Sequence, residues 1–119
     1  MAKILIVEDN PEVAEICSEL LTLLGHQSQW FLSAKEGLKA LEENSDTDLI
    51  ITDVMMPDVN GLEFLKILQV KYPKLRVVIM SGVVDPAIQN KAIALGAKVF
   101  LQKPFSLETL KSTVASALI

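Results

Sequence analysis

Four places along the chain carry side chains that could share one chemistry: the acidic pair Glu8-Asp9, Asp53, the hydroxyl of Ser81 followed by Gly82, and Lys103 before Pro104. Three carboxylates gathered in one hollow repel one another, and unless a cation joins them at least one is driven towards its neutral form. Oxygen-only ligands suit a hard divalent cation, and Mg2+, which keeps several waters, is the best match. With Mg2+ and the Lys103 ammonium neutralising phosphoryl oxygens, Ser81 donating a hydrogen bond and Gly82 leaving room, a carboxylate could attack phosphorus and form an aspartyl-phosphate. Few other groups are available for catalysis. The single histidine, His26, cannot build an imidazole metal cluster, and the single cysteine, Cys17, excludes an internal disulfide framework and a Cys-rich zinc site.

These residues must be gathered by the elements that precede them. Apolar runs at residues 4–7, 29–32, 49–52, 77–80 and 99–101 read as five short strands, the first and fourth continuous in Ile and Val as parallel strands covered on both faces require. The segments between them carry helix signals. Asn10 can cap a helix that starts at Pro11 and stops at Gly25, with Val13, Ile16, Cys17, Leu20, Leu21 and Leu24 on its apolar stripe. Ser33 and Glu36 have capping-box spacing and open a second helix with Ala34, Gly37, Leu38 and Leu41 inward. A third runs from about Gly61 to Tyr72. Asp85-Pro86 opens a fourth that ends at Gly96 and has a weak stripe of Ile88, Ala92 and Leu95, and Ser106 caps a fifth with Leu107, Leu110, Val114 and Leu118 inward.

Strand and helix alternate five times, which predicts an α/β fold with a parallel sheet and helices on both faces, and in a doubly wound flavodoxin-like sandwich of strand order 2-1-3-4-5 the first and third strands would be neighbours. Ligands of such sheets bind beyond the carboxyl ends of the strands, where strand order reverses, and Glu8, Asp9, Asp53, Ser81 and Lys103 all follow strands at that edge.

Length and composition bound the rest. One domain is expected of 119 residues, half of them hydrophobic and 22% charged, with five glycines and five prolines. The net charge of -4, a single arginine (Arg76) and lysines scattered without a basic run disfavour direct nucleic-acid binding. No apolar run approaches the roughly 18 residues of a membrane helix and no secretory signal opens the chain, so membrane contact is not expected and a cytoplasmic location is.

Residues 3–10 (KILIVEDN), 52–61 (TDVMMPDVNG), 80–82 (MSG) and 94–105 (ALGAKVFLQKPF) resemble, in order and spacing, the four landmarks of a two-component response-regulator receiver domain of the chemotaxis-regulator-like superfamily. The resemblance covers essentially the whole chain. It implies one receiver domain over residues 1–119 with no effector domain, Asp53 as phosphoacceptor, and Glu8, Asp9, Asp53 and the Met55 backbone carbonyl around Mg2+. It further implies Ser81 as switch hydroxyl, Lys103 as phosphate contact, Phe100 as aromatic switch and a cis bond before Pro104. Glu8-Asp9 stands where the family often has Asp-Asp, and Ser81 where it often has Thr.

The function implied is a phosphorelay signalling module, not an enzyme beyond its own phosphorylation and slow autodephosphorylation. A histidine kinase or histidine phosphotransfer protein would donate the phosphoryl group, and an unknown downstream protein would read the face of the fourth helix, fifth strand and fifth helix. The module would act as a monomer or a phosphorylation-dependent dimer. Apolar Met55 and Val83, flanking the path of hydrolytic water in the family, imply a long-lived phosphorylated form. The rival is a Mg2+-dependent phosphatase or phosphotransferase with an Asp nucleophile; that class typically places a second acid where Met55 stands. A structural domain that lost the chemistry would not need Asp9, Asp53, Ser81 and Lys103 together. Among the remaining residues, Cys17 reads as a buried reduced thiol, Phe100 as equally a core aromatic, Trp30 as packing, His26 as a surface residue, Asp58 as a polar loop residue and Asn60-Gly61 as a turn.

Overall fold

Among the described residues a side-chain cap starts each helix, and each helix follows a strand. A computed structural model of the chain describes residues 2–54, 58–82 and 85–119. In it β1 (Lys3–Val7) leads to α1 (Pro11–Leu23), whose Asn10 side chain accepts the N–H groups of Glu12 and Val13. The pattern repeats as β2 (Gln27–Phe31), α2 (Ala34–Glu43), β3 (Leu49–Asp53), α3 (Gly61–Lys71), β4 (Arg76–Ser81), α4 (Pro86–Ala94), β5 (Val99–Gln102) and α5 (Leu107–Ala117). Ser33, Asn60, Asp85 and Ser106 cap the remaining helices, each satisfying a first-turn N–H that would otherwise lack a partner. Gly25, at φ 88°, turns the chain out of α1 in the left-handed region that a residue with a Cβ resists.

The five strands pair in parallel in the order β2-β1-β3-β4-β5, the flavodoxin-like arrangement expected from the sequence. Alternate strand residues serve two cores. Leu5, Ile50 and Ile79 meet α2, α3 and α4 through Leu41, Phe64, Leu68 and Ala92, whereas Ile6, Ile51 and Met80 meet α1 and α5 through Cys17, Leu21, Leu110 and Val114. β3 is buried along its whole length, as the central strand of a sandwich must be.

Three expectations shift. β2 begins two residues earlier than its apolar run, because parallel pairing sets Gln27 opposite Lys3 and Phe31 opposite Val7; as an edge strand it can leave Gln27 and Gln29 in water. Ile16 is 55% exposed: α1 buries Ala14, Cys17 and Leu21, and a residue one position before Cys17 points about 100° away from that stripe. Leu107, the first residue of α5, is likewise exposed, and Thr113 and Ala117 join Leu110 and Val114 inside.

No helix among the described residues is long and apolar enough to cross a membrane.

Candidate functional site

The carboxyl edge of the sheet is assembled by register. Val7 pairs with Thr52, so Glu8, one residue beyond β1, comes level with Asp53 at the end of β3. Asp53 pairs with Met80, so Ser81 is one step further along β4, and Ser81 pairs with Gln102, beside Lys103. Backbone bonds lock the ends: Val54 N–H donates to the Met80 carbonyl at 3.2 Å, and Lys103 N–H donates to the Ser81 carbonyl at 2.8 Å. Residues that are 50 and 95 positions apart meet as a consequence.

Lys103 is the hub. Its Nζ donates to Glu8 Oε1 at 2.6 Å and to Asp53 Oδ2 at 3.1 Å, with both carboxylates almost completely withdrawn from water. Glu8 Oε2 accepts the Asn10 N–H at 3.1 Å, which ties the acid to the start of α1. Asp9 is exposed but reaches the same point: one ligand oxygen from each of Glu8, Asp9 and Asp53 can be chosen so that all lie within 4.8 Å of one another.

The electrostatics follow from this crowding. Burial pushes the Glu8 carboxyl up to about 7, with Lys103 pulling down and the neighbouring Asp9 and Asp53 pushing up. Burial also opposes the charge on Lys103, but Glu8 and Asp53 outweigh it and hold the ammonium above its ordinary range. Three acidic groups stand against one ammonium, and their donor atoms are all oxygens, two of the three residues buried. The set fits a small hard divalent cation such as Mg2+.

Of the residues named from the sequence, Glu8, Asp9, Asp53 and Lys103 are brought together, with Ser81 on the adjoining strand end. Met55 and Val83 lie outside the described residues. The Lys103-Pro104 peptide bond is cis. Phe100 is half-buried and packs against the core on the side of α2, α3 and α4. Cys17 is wholly buried and burial pushes its thiol up to about 12, so it is inert core.

Two features were not legible in advance. Asp58 is more than a polar loop residue: its carboxylate accepts the N–H groups of Ala34 and Lys35 at the start of α2, a contact across 24 and 23 residues that no local pattern announces. Beside Lys103, Val13, Ile16, Pro104 and Phe105 line an open apolar groove of about 490 Å³. Its lining comes from α1 and from the chain after β5, so no pattern within one element announces it.

A family profile described as the response regulator receiver domain matches residues 4–115. The chain belongs to that family. Among similar proteins, a chemotaxis protein CheY homolog of Campylobacter jejuni is 31% identical over 121 residues, covering 98% of this receiver domain and 92% of the relative. The response regulator protein FleR of Pseudomonas aeruginosa is 37% identical over 116 residues, and a cyclic di-GMP phosphodiesterase of Thermotoga maritima is 32% identical over 115. The receiver domain spans 24% of FleR and 30% of the phosphodiesterase, against 96% and 97% of its own length. The solved Vibrio cholerae chemotaxis protein CheY4 superposes with a TM-score of 0.92 at 30% identity, each chain 99% covered.

Proposed function

We propose that residues 1–119 act as a single phosphoacceptor unit of a two-component relay, with Asp53 taking a phosphoryl group from a histidine kinase or histidine phosphotransfer protein. The observation that carries this reading is the Lys103 ammonium held between Glu8 and Asp53 with Asp9 in reach, a charge arrangement that suits a divalent cation and a phosphoryl group together.

Glu8, Asp9 and Asp53, joined by the Met55 carbonyl, would hold Mg2+, which supplies charge neutralisation on the phosphoryl oxygens. The residues do the remaining work. The Asp53 carboxylate oxygen attacks phosphorus; as the new P–O bond forms, the bond from phosphorus to the donor's imidazole nitrogen breaks, and the imidazole leaves with a proton from solvent. Lys103, already 3.1 Å from Asp53 Oδ2, moves its ammonium onto a phosphoryl oxygen, and Ser81 donates its hydroxyl to another. The apolar groove of Val13, Ile16 and Phe105 beside Lys103 offers footing for the donor protein.

Output is assigned to α4, β5 and α5. Movement of Ser81 towards the phosphoryl group would free space that the Phe100 ring can fill, and α4, which fully buries only Ala92 among its described residues, is the helix most easily displaced. The unit carries no turnover beyond its own phosphorylation and dephosphorylation, reads out to a downstream protein as monomer or dimer, and works in the cytoplasm with its donor.

Incubation with Mg2+ and acetyl phosphate, followed by intact mass, should show one added phosphoryl group that Asp53→Asn abolishes and Asp9→Asn diminishes. Undiminished labelling of Asp53→Asn would sink the assignment, and continuous release of phosphate would favour the phosphatase reading.

A further inference from the structure

Two helices end on a glycine in the left-handed region, and the surroundings of the two glycines differ. After α1, the Gly25 N–H (φ 88°) donates to the Thr22 carbonyl and the His26 N–H to the Leu21 carbonyl, both at 3.0 Å. After α4, the Gly96 N–H (φ 106°) donates to the Ile93 carbonyl and the Ala97 N–H to the Ala92 carbonyl, again both at 3.0 Å. Each pair of bonds satisfies carbonyls that the last turn of a helix leaves open, and the positive φ suits a residue without a Cβ. Around Gly25 the space is open: among the described residues no atom lies within 4 Å of where a Cβ would stand. At Gly96 that place is taken by the side-chain amide of Gln69 from α3, with Cδ at 2.6 Å, Nε2 at 2.7 Å and Oε1 at 2.9 Å. Gly96 therefore does more than turn the chain: it lets a side chain of α3 lie against the main chain where α4 ends.

The two ends of α4 are held unequally. At the carboxyl end Ala92 and Ala97 are both buried in the core on the side of α2, α3 and α4. The Lys98 N–H donates to the Val77 carbonyl at 2.8 Å, so the chain joins the sheet two residues after Gly96. The amino half is held less. Asp85 caps it by accepting the Ala87 N–H at 2.9 Å and Ile88 is half-buried, while Pro86, Ala87, Gln89, Asn90 and Lys91 are exposed.

We infer that Gln69 and Gly96 form a fixed pivot for α4: displacement of the helix on signalling is a swing of its amino half about a carboxyl end that α3 clasps. The inference rests on the output proposed above for α4. Residues that absorb such a motion sit at the ends of elements, and here the end nearer β5 is the immobile one. Gln69 thereby gives α3 a part in the switch, because it sets how far along α4 the displacement spreads.

The test compares the parent chain with Gln69→Ala and Val70→Ala by amide hydrogen exchange, and by NMR with Mg2+ and beryllofluoride. Neither residue belongs to the buried set of α3, and Val70 is 83% exposed, so both variants should fold. Gln69→Ala should speed exchange of the Gly96 and Ala97 amides about fivefold, within the range that contacting residues show, and leave the β3 amides at parent rates. Val70→Ala should change neither. Beryllofluoride should shift the amides of residues 89–91 in the parent while those of Gly96 and Ala97 stay near their starting positions; in Gln69→Ala the shifts should spread to these two. Parent-like exchange at Gly96 and Ala97 in Gln69→Ala, or equal acceleration in Val70→Ala, overturns the pivot and leaves the output reading standing. So do parent shifts as large at Gly96 and Ala97 as at residues 89–91. Signals that shift around Asp53 with none in α4 overturn the output reading and the swing together.

Discussion

Lys103 and Glu8 show how a single side chain changes meaning with its surroundings. A lysine after a strand is ordinarily a solvated charge; here its ammonium is the counter-ion of two buried acids, and removing it would withdraw the positive charge that Glu8 and Asp53 share. His26 makes the opposite point at the other end of the sheet. Its Nδ1 accepts the Ala2 N–H at 3.0 Å, which requires an unprotonated nitrogen, and burial lowers its pKa. A base with a depressed folded-state value contributes stability that is fully present above its unfolded value, about 6.5, and lost as pH falls through the folded value. Urea midpoints should therefore fall more between about pH 7 and pH 5 for the parent chain than for His26→Gln, whose side chain does not titrate. Equal falls would show that the hydrogen bond is immaterial.

Contact between elements decides what each glycine is for. The Asn60-Gly61 pair is not a free turn: Asn60 caps α3 by accepting the Leu62 N–H at 2.7 Å, and Gly61 begins the helix pressed against the end of β3. A Cβ on Gly61 would lie 2.5 Å from Val54 Cα and 2.6 Å from the Asp53 carbonyl oxygen, both backbone atoms that cannot swing aside. Gly61→Ala should cost about 1–3 kcal/mol in chemical denaturation and slow phosphorylation of Asp53, because relief means moving β3 or α3 at the site itself. Gly82→Ala is the control. Among the described residues nothing lies within 4 Å of a Cβ there, so its stability should remain near that of the parent.

The molecule as a whole grades from a rigid centre to a looser flank. β3 is paired on both sides and buried throughout, and Phe64, wholly buried beneath it, should cost about 3–5 kcal/mol when cut to Ala. Amides of β3 should exchange slowest and those of α4 among the fastest of the helices, since α4 fully buries only Ala92 among its described residues. The same gradient underlies the proposed output. Beryllofluoride, a mimic of the phosphoryl group, should shift NMR signals of α4, β5 and the Phe100 ring as well as those around Asp53; changes confined to the loops would refute that route while leaving the phosphorylation chemistry intact.

The order of elements, the parallel sheet and the placing of Glu8, Asp9, Asp53, Ser81 and Lys103 at or just past strand ends could be read from one sequence, because hydrophobic period, caps and polar strand ends are local properties that survive without neighbours. Tertiary structure alone decided the rest. Where β2 starts depended on its register with β1, the outward turn of Ile16 on which side of α1 met the sheet, and the bond of Asp58 to α2 on the meeting of segments two dozen residues apart. Each is a property of a pair of elements, set by how they pack, and a pattern within one element carries no trace of it.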